Sequence, residues 1–185
     1  ICVCTNAALY LFPAIIGGIH PTLILAKLAE RVIGRHLVKF LQSGKFGIHQ
    51  WAFTPGLSAR DLVTSLMMSW ILAICTGNKM GAYLPDITGA FDRVFKDYLM
   101  AKLQAAGVGT LYLNFLNSYL EPRIGKVTVE GVMSDTFEIA DTVFQGSVLG
   151  PALWNCFFAD VSEAGCEFGG EAELFADDLN IQHTL

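Results

Sequence analysis

Two adjacent carboxylates interrupt an apolar run near the end of the 185-residue sequence. Leu174-Phe175-Ala176 precedes Asp177 and Asp178, and Leu179-Asn180-Ile181 follows them. Apolar runs on both sides of a polar pair predict a strand, a tight turn and a second strand. Neighbouring carboxylates repel each other, so a fold that seats them in an apolar hairpin usually supplies a cation. The pair therefore favours a divalent metal site over a solvated turn.

A third carboxylate, Asp86, ends the short stretch Met80 to Asp86, which we predict to be another strand. Carboxylates at the ends of two neighbouring strands can share two Mg²⁺ ions about 4 Å apart. Such a pair of ions activates a 3′ hydroxyl group and neutralises a leaving pyrophosphate. The spacing of Asp86, Asp177 and Asp178 permits this chemistry without requiring it.

A glycine-containing segment, Gln145 to Pro151, lies between the two acidic stretches. Gly150 and Pro151 fit the cap and first position of a helix that continues through apolar residues at helical spacing. Gly146 and Gly150 leave main-chain N–H groups open to close approach, as a phosphate-bearing or base-paired ligand needs. A binding loop and an ordinary tight loop both fit this pattern.

Four basic residues recur at every fourth position of a predicted amphipathic helix, Thr22 to Gln42. This spacing aligns them along one side of the helix. They fit either a solvated face or a contact with a phosphate backbone. The basic residues are Lys27, Arg31, Arg35 and Lys39, and the predicted apolar series is Leu25, Leu28, Val32, Leu37 and Leu41.

The composition indicates a folded domain with some apolar surface. Hydrophobic residues make up 53% and charged residues 16% of the chain, which excludes intrinsic disorder. Residues 1–100 carry nine Lys and Arg against five Asp and Glu, whereas residues 101–185 carry three against twelve. Despite the net charge of −5, a basic half and an acidic half predict a polyanion on one side and cations on the other.

Cysteine usage and the first residues exclude other classes of protein. Five cysteines without regular spacing argue against a disulfide framework and fit a reducing compartment, and no ligand pair has structural-zinc spacing. Residues 1–19 carry no charge, but Pro13, Gly17 and Gly18 interrupt them. We therefore favour a buried segment or a disordered edge there and expect no membrane span.

Local signals predict three further helices and a hairpin. Ser58 caps a predicted helix that ends near Cys75, and Asp92 caps one that ends near Ala105. The other predicted elements are a helix at Leu111 to Leu120, strands around Val127 to Val129 and Phe137 to Ile139, and the turn that joins these strands at Gly131 to Ser134. In the first helix, the residues expected to pack are Leu66, Met67, Met68 and Trp70.

Three segments together resemble motifs A, B and C of reverse transcriptases from non-LTR retrotransposons. In chain order they are Asp86-Ile87-Thr88-Gly89-Ala90-Phe91-Asp92-Arg93-Val94, Gln145-Gly146-Ser147-Val148-Leu149-Gly150-Pro151 and Phe175-Ala176-Asp177-Asp178. The resemblance covers roughly residues 20–185. Upstream, Leu28 to Phe40 with Glu30-Arg31-Val32 resembles the fingers helix, and Gln50 to Ser58 resembles the fingers loop. Tyr119 to Arg123 resembles the segment that enters the palm hairpin.

The resemblance implies an α+β fold, the fingers and palm of a right-hand polymerase, with an antiparallel palm sheet packed on helices. It implies fingers at residues 20–79, a palm with all three motifs at 80–185, and an unassigned apolar segment at 1–19. The thumb and the other domains of a parent polyprotein are expected outside this chain. An intracellular, nuclear location is implied as well.

The implied activity is RNA-directed DNA synthesis on an RNA template from a DNA primer and deoxynucleoside triphosphates. Two Mg²⁺ or Mn²⁺ ions would be held by Asp86, Asp177, Asp178 and the main-chain carbonyl of Ile87. Nucleic acid would contact the basic residues Lys27, Arg31, Arg35, Lys39 and Arg60.

Three residues are implied to bind the incoming nucleotide: Phe91, Gln145 and Gly146. Phe91 falls where the family places an aromatic gate that excludes a ribose 2′-OH, although a core aromatic fits the same position. Gln145 and Gly146 would line the pocket for the nucleotide and the template base.

Four positions depart from the family pattern. Pro85 stands where a strand-forming apolar residue is usual, Phe144 where proline is usual, and Thr54 and Leu57 where arginines are usual. Arg60 or Lys45 could replace part of the missing basic contact. Two alternatives to a reverse transcriptase stay open: an inactive retroelement remnant that at most binds nucleic acid, and another palm-type nucleotidyltransferase such as an RNA-dependent RNA polymerase.

Overall fold

The structure is a computed structural model of the chain, and it describes residues 2–3, 24–43, 49–129, 132–140, 142–144, 146–167 and 169–185. The helices in these residues are α1 (Ile24–Gln42), α2 (Ala59–Cys75), α3 (Lys96–Ala105), α4 (Thr110–Tyr119), α5 (Gly150–Phe158) and α6 (Val161–Glu167), with a 3₁₀ helix at Ala90–Arg93. The strands are β1 (Cys2–Val3), β2 (Met80–Tyr83), β3 (Arg123–Gly125), β4 (Val127–Val129), β5 (Val132–Met133), β6 (Phe137–Ile139), β7 (Glu171–Phe175) and β8 (Asp178–Thr184).

The described residues form two compact units. One comprises those of Ile1–Lys39 and Thr88–Trp154, and the other comprises Phe40–Ile87 with Asn155–Leu185. In the first unit, α3 packs on α4 and buries Leu103 and Leu116. In the second unit, α6 packs on the antiparallel sheet β2-β8-β7.

Gly165 brings α6 onto this sheet at very short range. A Cβ at position 165 would lie 2.7 Å from the Cβ of Ala172, on β7. Such a contact is shorter than packed side chains tolerate, so the helix can lie this close only because the residue is glycine. The face of the sheet that carries Ala172 and Ile181 is thus covered, and the opposite face carries Asp178, Asn180 and Gln182.

The predicted hairpin is wrong in its pairing. Strand β4 pairs with β5, whereas β6 pairs with β3. The main-chain N–H of Ser134 donates to Val127 O at 2.9 Å, and Ser134 Oγ accepts from Val127 N at 3.0 Å. These two local bonds close a short β4–β5 hairpin, which leaves β6 to pair elsewhere.

Helix α1 buries a different face from the one its apolar series predicted. Its buried positions are Glu30, Gly34, Leu37 and Leu41, at helical spacing. Leu25, Leu28 and Val32 are exposed, contrary to the prediction. The first half of the buried face is an acid and a glycine, so hydrophobic periodicity identified Leu37 and Leu41 correctly but misassigned the first half of the helix. No helix in the described part of the chain is long and apolar enough to cross a bilayer.

Helix α2 confirms its predicted start and part of its predicted packing. Ser58 is the N-cap, and its Oγ accepts the main-chain N–H of Asp61 at 3.4 Å. Leu66 is buried, whereas Met67 and Met68 are 53% and 64% exposed. The buried face of α2 is narrow because the described elements cover only one side of this helix.

Asp92 does not cap a helix as predicted. It lies in the 3₁₀ helix that follows Gly89, whose φ is +65°, and α3 begins only at Lys96. The Asp92 carboxylate instead accepts a hydrogen bond from Thr142 Oγ1 at 3.0 Å. The carboxylate therefore ties the 3₁₀ helix to a distant loop rather than to the start of α3.

Candidate active site

The two adjacent aspartates lie at the predicted tight turn, between β7 and β8. Phe175 pairs with Asp178, so Ala176 and Asp177 are the two residues of the turn. Ala176 has a φ of +57°, in the left-handed region that favours glycine. A non-glycine residue with this conformation costs of order 1–3 kcal/mol and persists only where its surroundings hold it. Asp177 is half-buried and Asp178 is exposed.

Strand β2 is shorter than the predicted Met80 to Asp86, since it ends at Tyr83. Lys79 and Leu185 exchange both main-chain hydrogen bonds, at 3.0 and 2.7 Å. In an antiparallel ladder such pairs recur at every second residue, here at positions 81, 83 and 85 of this strand. Pro85 has no N–H group, so it cannot complete the next pair, and the ladder stops.

The register of the sheet still relates Asp86 to the turn. Tyr83 pairs with Ile181 as the last pair of the ladder, and the same register, if it continued for three more residues, would set Asp86 opposite Asp178. Side chains alternate along a strand, so directly opposed residues belong to the same face of a sheet. Asp86 is exposed, as Asp178 is, and both belong to the compact unit that carries Asp177.

The chemistry of these carboxylates fits a divalent cation. Mg²⁺ and Mn²⁺ prefer carboxylate and carbonyl oxygens, which Asp86, Ile87, Asp177 and Asp178 offer. Within the described residues, no three His, Cys, Asp or Glu side chains converge closely enough to form a metal site. The shared coordination of ions by these aspartates stays a prediction.

Gln50 is a site residue that the sequence did not single out. It is 2% exposed, and its side-chain amide contacts the strained turn. Oε1 accepts the N–H of Ala176 at 3.0 Å, and Nε2 donates to the carbonyl of Ala176 at 3.3 Å. The sequence marked Gln50 only as the first residue of the segment that resembles the fingers loop, and a polar residue beside an aromatic one is too common to indicate a contact with the turn.

Phe91 packs as a core aromatic. Its ring centroid lies 5.2 Å from that of Trp154, at an interplanar angle of 30°. The Phe91 carbonyl accepts hydrogen bonds from Val143 N at 2.9 Å and Thr142 Oγ1 at 3.2 Å, which fixes the backbone beneath the ring. The ring is only half-buried, so a second role as a sugar gate stays a prediction.

The predicted nucleotide loop is partly described. Gln145 lies outside the described residues. Gly146 is exposed with a φ of +82°, and a Cβ at this position would meet no atom of the described residues within 4 Å. Glycine is therefore needed here for its backbone conformation, and the space above the loop is open.

Glu30 holds the same loop from beneath and is the second residue that the sequence analysis missed. Its buried carboxylate accepts the main-chain N–H groups of Val148 at 2.6 Å and Leu149 at 3.4 Å. These groups precede α5, where free N–H groups and the helix dipole favour a negative charge. A Cβ on Gly34, one turn further along α1, would lie 2.6 Å from Leu149 Cδ2. The available signal was an acid seven and eleven residues before two buried leucines.

Tyr119 adds a titratable group to this cluster. Its hydroxyl donates to Glu30 Oε1 at 3.4 Å. Burial raises the pKa of Tyr119 to about 12, with the Glu30 charge acting in the same direction, while a hydrogen bond with Ser147 and the charge of Arg123 oppose the shift. The folded state therefore keeps this phenol protonated at a pH where an exposed tyrosine ionises.

We expect Tyr119 to make the protein less stable in alkali. The unfolded chain ionises this residue near pH 10 and the folded chain near pH 12, so stability is lost as the pH rises between these values. We expect the loss in the free energy of unfolding to reach about 2 kcal/mol. This is less than the full shift in pKa corresponds to, because the ring is partly exposed to solvent. Urea unfolding from pH 8 to 12 measures it: Tyr119→Phe should flatten the decline, and Tyr98→Phe, at an exposed position, should not. Parallel curves for all three proteins would contradict this assignment.

Two departures from the family pattern have local structural reasons. The Arg123 guanidinium lies 4.3 Å from the centroid of the Phe144 ring and 5.5 Å from that of Tyr119, so the aromatic residue at 144 gains a cation–π contact. Thr54 Oγ1 donates to Gln50 O at 2.9 Å and closes the fingers-like loop on itself. Nothing described explains Leu57, which is 40% exposed.

The predicted nucleic-acid contacts lie on accessible surface. Arg31, Arg35 and Lys39 are exposed along α1, and Lys27 is half-buried. Arg60 is exposed in the first turn of α2, and Lys45 lies outside the described residues. Contact of these residues with a phosphate backbone stays a prediction.

Comparison with known proteins identifies sequence relatives of the chain. The family model described as "Reverse transcriptase (RNA-dependent DNA polymerase)" matches residues 17–184. In Drosophila melanogaster, the probable RNA-directed DNA polymerase from transposon X-element is 28% identical over 162 residues, which are 86% of this chain and 18% of that protein. The probable RNA-directed DNA polymerase from transposon BS is 34% identical over 138 residues, 74% of this chain and 15% of that protein. The chain thus spans less than a fifth of the length of these relatives.

Solved structures share the fold. Apo telomerase from Candida tropicalis, truncated from its C-terminal domain, aligns with a TM-score of 0.57 at 12% identity, over 94% of this chain and 39% of that one. Telomerase from Candida albicans, in complex with a fragment of telomeric RNA, aligns with a TM-score of 0.60 at 12% identity, over 84% of this chain and 31% of that one. These alignments confirm the predicted α+β polymerase fold.

Proposed function

The chain belongs to the reverse transcriptase (RNA-dependent DNA polymerase) family, and from that premise we propose that it carries the nucleotidyl-transfer centre of a retrotransposon polymerase. The reaction would extend a DNA primer on an RNA template. The observation that carries this proposal is the β7–β8 turn with Asp177 and Asp178, in the compact unit that also contains Asp86.

The proposed cation ligands are Asp86, Asp177, Asp178 and the main-chain carbonyl of Ile87. Two bound Mg²⁺ or Mn²⁺ ions would activate the primer 3′ hydroxyl and neutralise the charge on the leaving pyrophosphate. The protein's own contribution is to hold the carboxylates. Asp178 is held as the first residue of β8 and Asp177 by the backbone of the turn, whereas Asp86 lies three residues beyond the end of β2.

Phe91 is proposed to select the sugar of the incoming nucleotide. Its carbonyl is fixed by two hydrogen bonds and its ring rests on Trp154, so the exposed part of the ring has a defined position. A rigid aromatic edge excludes an added 2′-OH by overlap. We propose that Gln145 and Gly146 line the same nucleotide pocket, and that the basic residues of α1 with Arg60 contact the template backbone.

RNA-templated primer extension by the full-length polypeptide, meaning the parent polyprotein that contains this chain and the expected thumb, tests both activity and sugar choice. With Mg²⁺ or Mn²⁺ present, we expect deoxynucleotides to be incorporated in preference to ribonucleotides. Phe91→Ala should raise ribonucleotide use by about 10- to 100-fold, since one steric group is typically worth 1–3 kcal/mol of discrimination. Phe115→Ala, at a half-buried aromatic in the same unit, should leave the preference unchanged. A wild-type preference for ribonucleotides would instead favour an RNA-dependent RNA polymerase.

A catalytically inactive remnant is the second candidate function, and Pro85 is the observation that favours it. Proline stops the β2 ladder just before Asp86, so the strand no longer fixes this carboxylate directly. The discriminating protein combines Pro85→Val, Phe144→Pro, Thr54→Arg and Leu57→Arg. Primer extension that appears only in this combined variant would identify a remnant, whereas extension by the unaltered sequence would exclude one.

A further inference from the structure

Gln50 is anchored beside the end of strand β7. The N–H of Trp51 donates to Leu174 O at 2.9 Å, and the N–H of Leu174 donates to His49 O at 2.8 Å, which makes a parallel bridge around Gln50. Trp51 Nε1 also donates to Glu173 Oε2 at 2.5 Å. The backbone of Gln50 is thus held against the strand that leads into the aspartate turn.

The side-chain amide of Gln50 makes three hydrogen bonds to main-chain groups. Its Oε1 accepts the N–H groups of Ala52 and Ala176, both at 3.0 Å, and its Nε2 donates to the Ala176 carbonyl at 3.3 Å. A buried amide with all these partners is rigid, because breaking any one bond leaves a polar group without water. Gln50 therefore fixes both polar main-chain groups of a single turn residue.

These two bonds act directly on the peptide groups next to Asp177. The Ala176 carbonyl belongs to the peptide bond that joins Ala176 to Asp177, so its direction sets the plane from which the Asp177 side chain departs. Ala176 has a positive φ that alanine disfavours, and the turn needs external support to keep it. Gln50 supplies that support from a segment 126 residues away in the chain.

We propose that Gln50 is a positioning residue that orients Asp177 for coordination of the catalytic ions. This role rests on the proposed polymerase function, but the clamp itself does not. The same amide also binds Ala52, so the fingers-like loop and the aspartate turn are held by one side chain.

Amide hydrogen exchange of the 185-residue chain tests the clamp without any activity. In Gln50→Met, which keeps the length of the side chain but can neither donate nor accept these bonds, we expect the Ala176 N–H to exchange about tenfold faster. Gln42→Met is the matched control, because Gln42 Nε2 donates to the Phe53 carbonyl of the same loop and does not touch the turn. Unchanged exchange at Ala176 in Gln50→Met would overturn the proposal.

Kinetics of the full-length polypeptide test the consequence for the reaction. We expect Gln50→Met to lower kcat by about 10- to 100-fold and to raise the Mg²⁺ concentration for half-maximal rate, with the KM for deoxynucleotide within about twofold. Gln50→Glu keeps both acceptor bonds but replaces the donor by an oxygen that repels the Ala176 carbonyl, so the Ala176 N–H should exchange faster and kcat should be lower than in the unaltered protein, and this variant replaces Gln50→Met if that one does not fold.

The two experiments separate the possible failures. Faster exchange at Ala176 with an unchanged kcat would overturn the positioning role. A polymerase without any activity in its unaltered form would contradict the proposed function, while the exchange result would still establish or refute the clamp.

Discussion

Asp177→Asn is expected to reduce RNA-templated primer extension by at least about a thousandfold. The substitution keeps the size of the side chain and removes the charge at the turn between β7 and β8. Cation-based charge stabilisation of a transition state is worth several kcal/mol, and each 1.4 kcal/mol is a factor of ten in rate. The measurement is the single-turnover rate of nucleotide addition at saturating substrate.

A matched substitution distinguishes loss of a metal ligand from a general loss of charge. Asp135→Asn removes a carboxylate from an exposed position in the other compact unit, and its rate should stay within about twofold of the unaltered protein. Thermal unfolding should show that Asp177→Asn folds normally, since the turn backbone keeps its bonds to Gln50. Extension by Asp177→Asn at the rate of the control would remove Asp177 from the chemistry.

Glu30→Ala is expected to cost about 3 kcal/mol of the free energy of unfolding. The carboxylate is 6% exposed and accepts the N–H groups of Val148 and Leu149, which α5 cannot pair within itself. Hydrogen bonds to charged groups are worth about 1.5–3 kcal/mol, and buried N–H groups left without acceptors add a penalty. Urea unfolding at neutral pH measures the change.

Two further variants show whether the buried acceptor is responsible. Glu30→Gln keeps an oxygen for the same N–H groups and should lose less than half as much stability as the alanine variant. Glu163→Ala removes an exposed carboxylate from the first turn of α6, and it should cost less than about 1 kcal/mol. Equal losses at positions 30 and 163 would show that burial of Glu30 contributes nothing.

Features encoded by neighbouring residues were predictable from the sequence. The strand-turn-strand around Asp177 follows from apolar runs that flank two acids, and the Ser58 cap follows from a single hydroxyl before a helical pattern. The resemblance to the family motifs added the prediction that Asp86 belongs to the same site as Asp177 and Asp178. For the turn and the cap, the informative residues lie within about ten positions of each other, which is the range over which local propensity acts.

Features that depend on distant partners were not predictable. Glu30 binds a main-chain group 118 residues away and Gln50 one 126 residues away, so neither partner can be read from the neighbouring sequence. The buried face of α1 begins with that acid and Gly34, which hydrophobic patterns misassign. The pairing of β6 with β3 in place of β4 likewise depends on a local competition at Ser134.

We expect Pro85 also to limit self-association of the purified protein. Among the described strands of its sheet, β2 is outermost, and it is four residues long. An outer strand with free donors and acceptors can pair with strands of other molecules. A short strand that is followed by proline resists such pairing. Tyr83 and Leu84 are 65% and 66% exposed, so a valine at position 85 would lengthen an edge strand whose exposed side chains are apolar. Pro85→Val is therefore expected to hold Asp86 more firmly and to lower the solubility of the protein. Light scattering would detect the loss of solubility as oligomers.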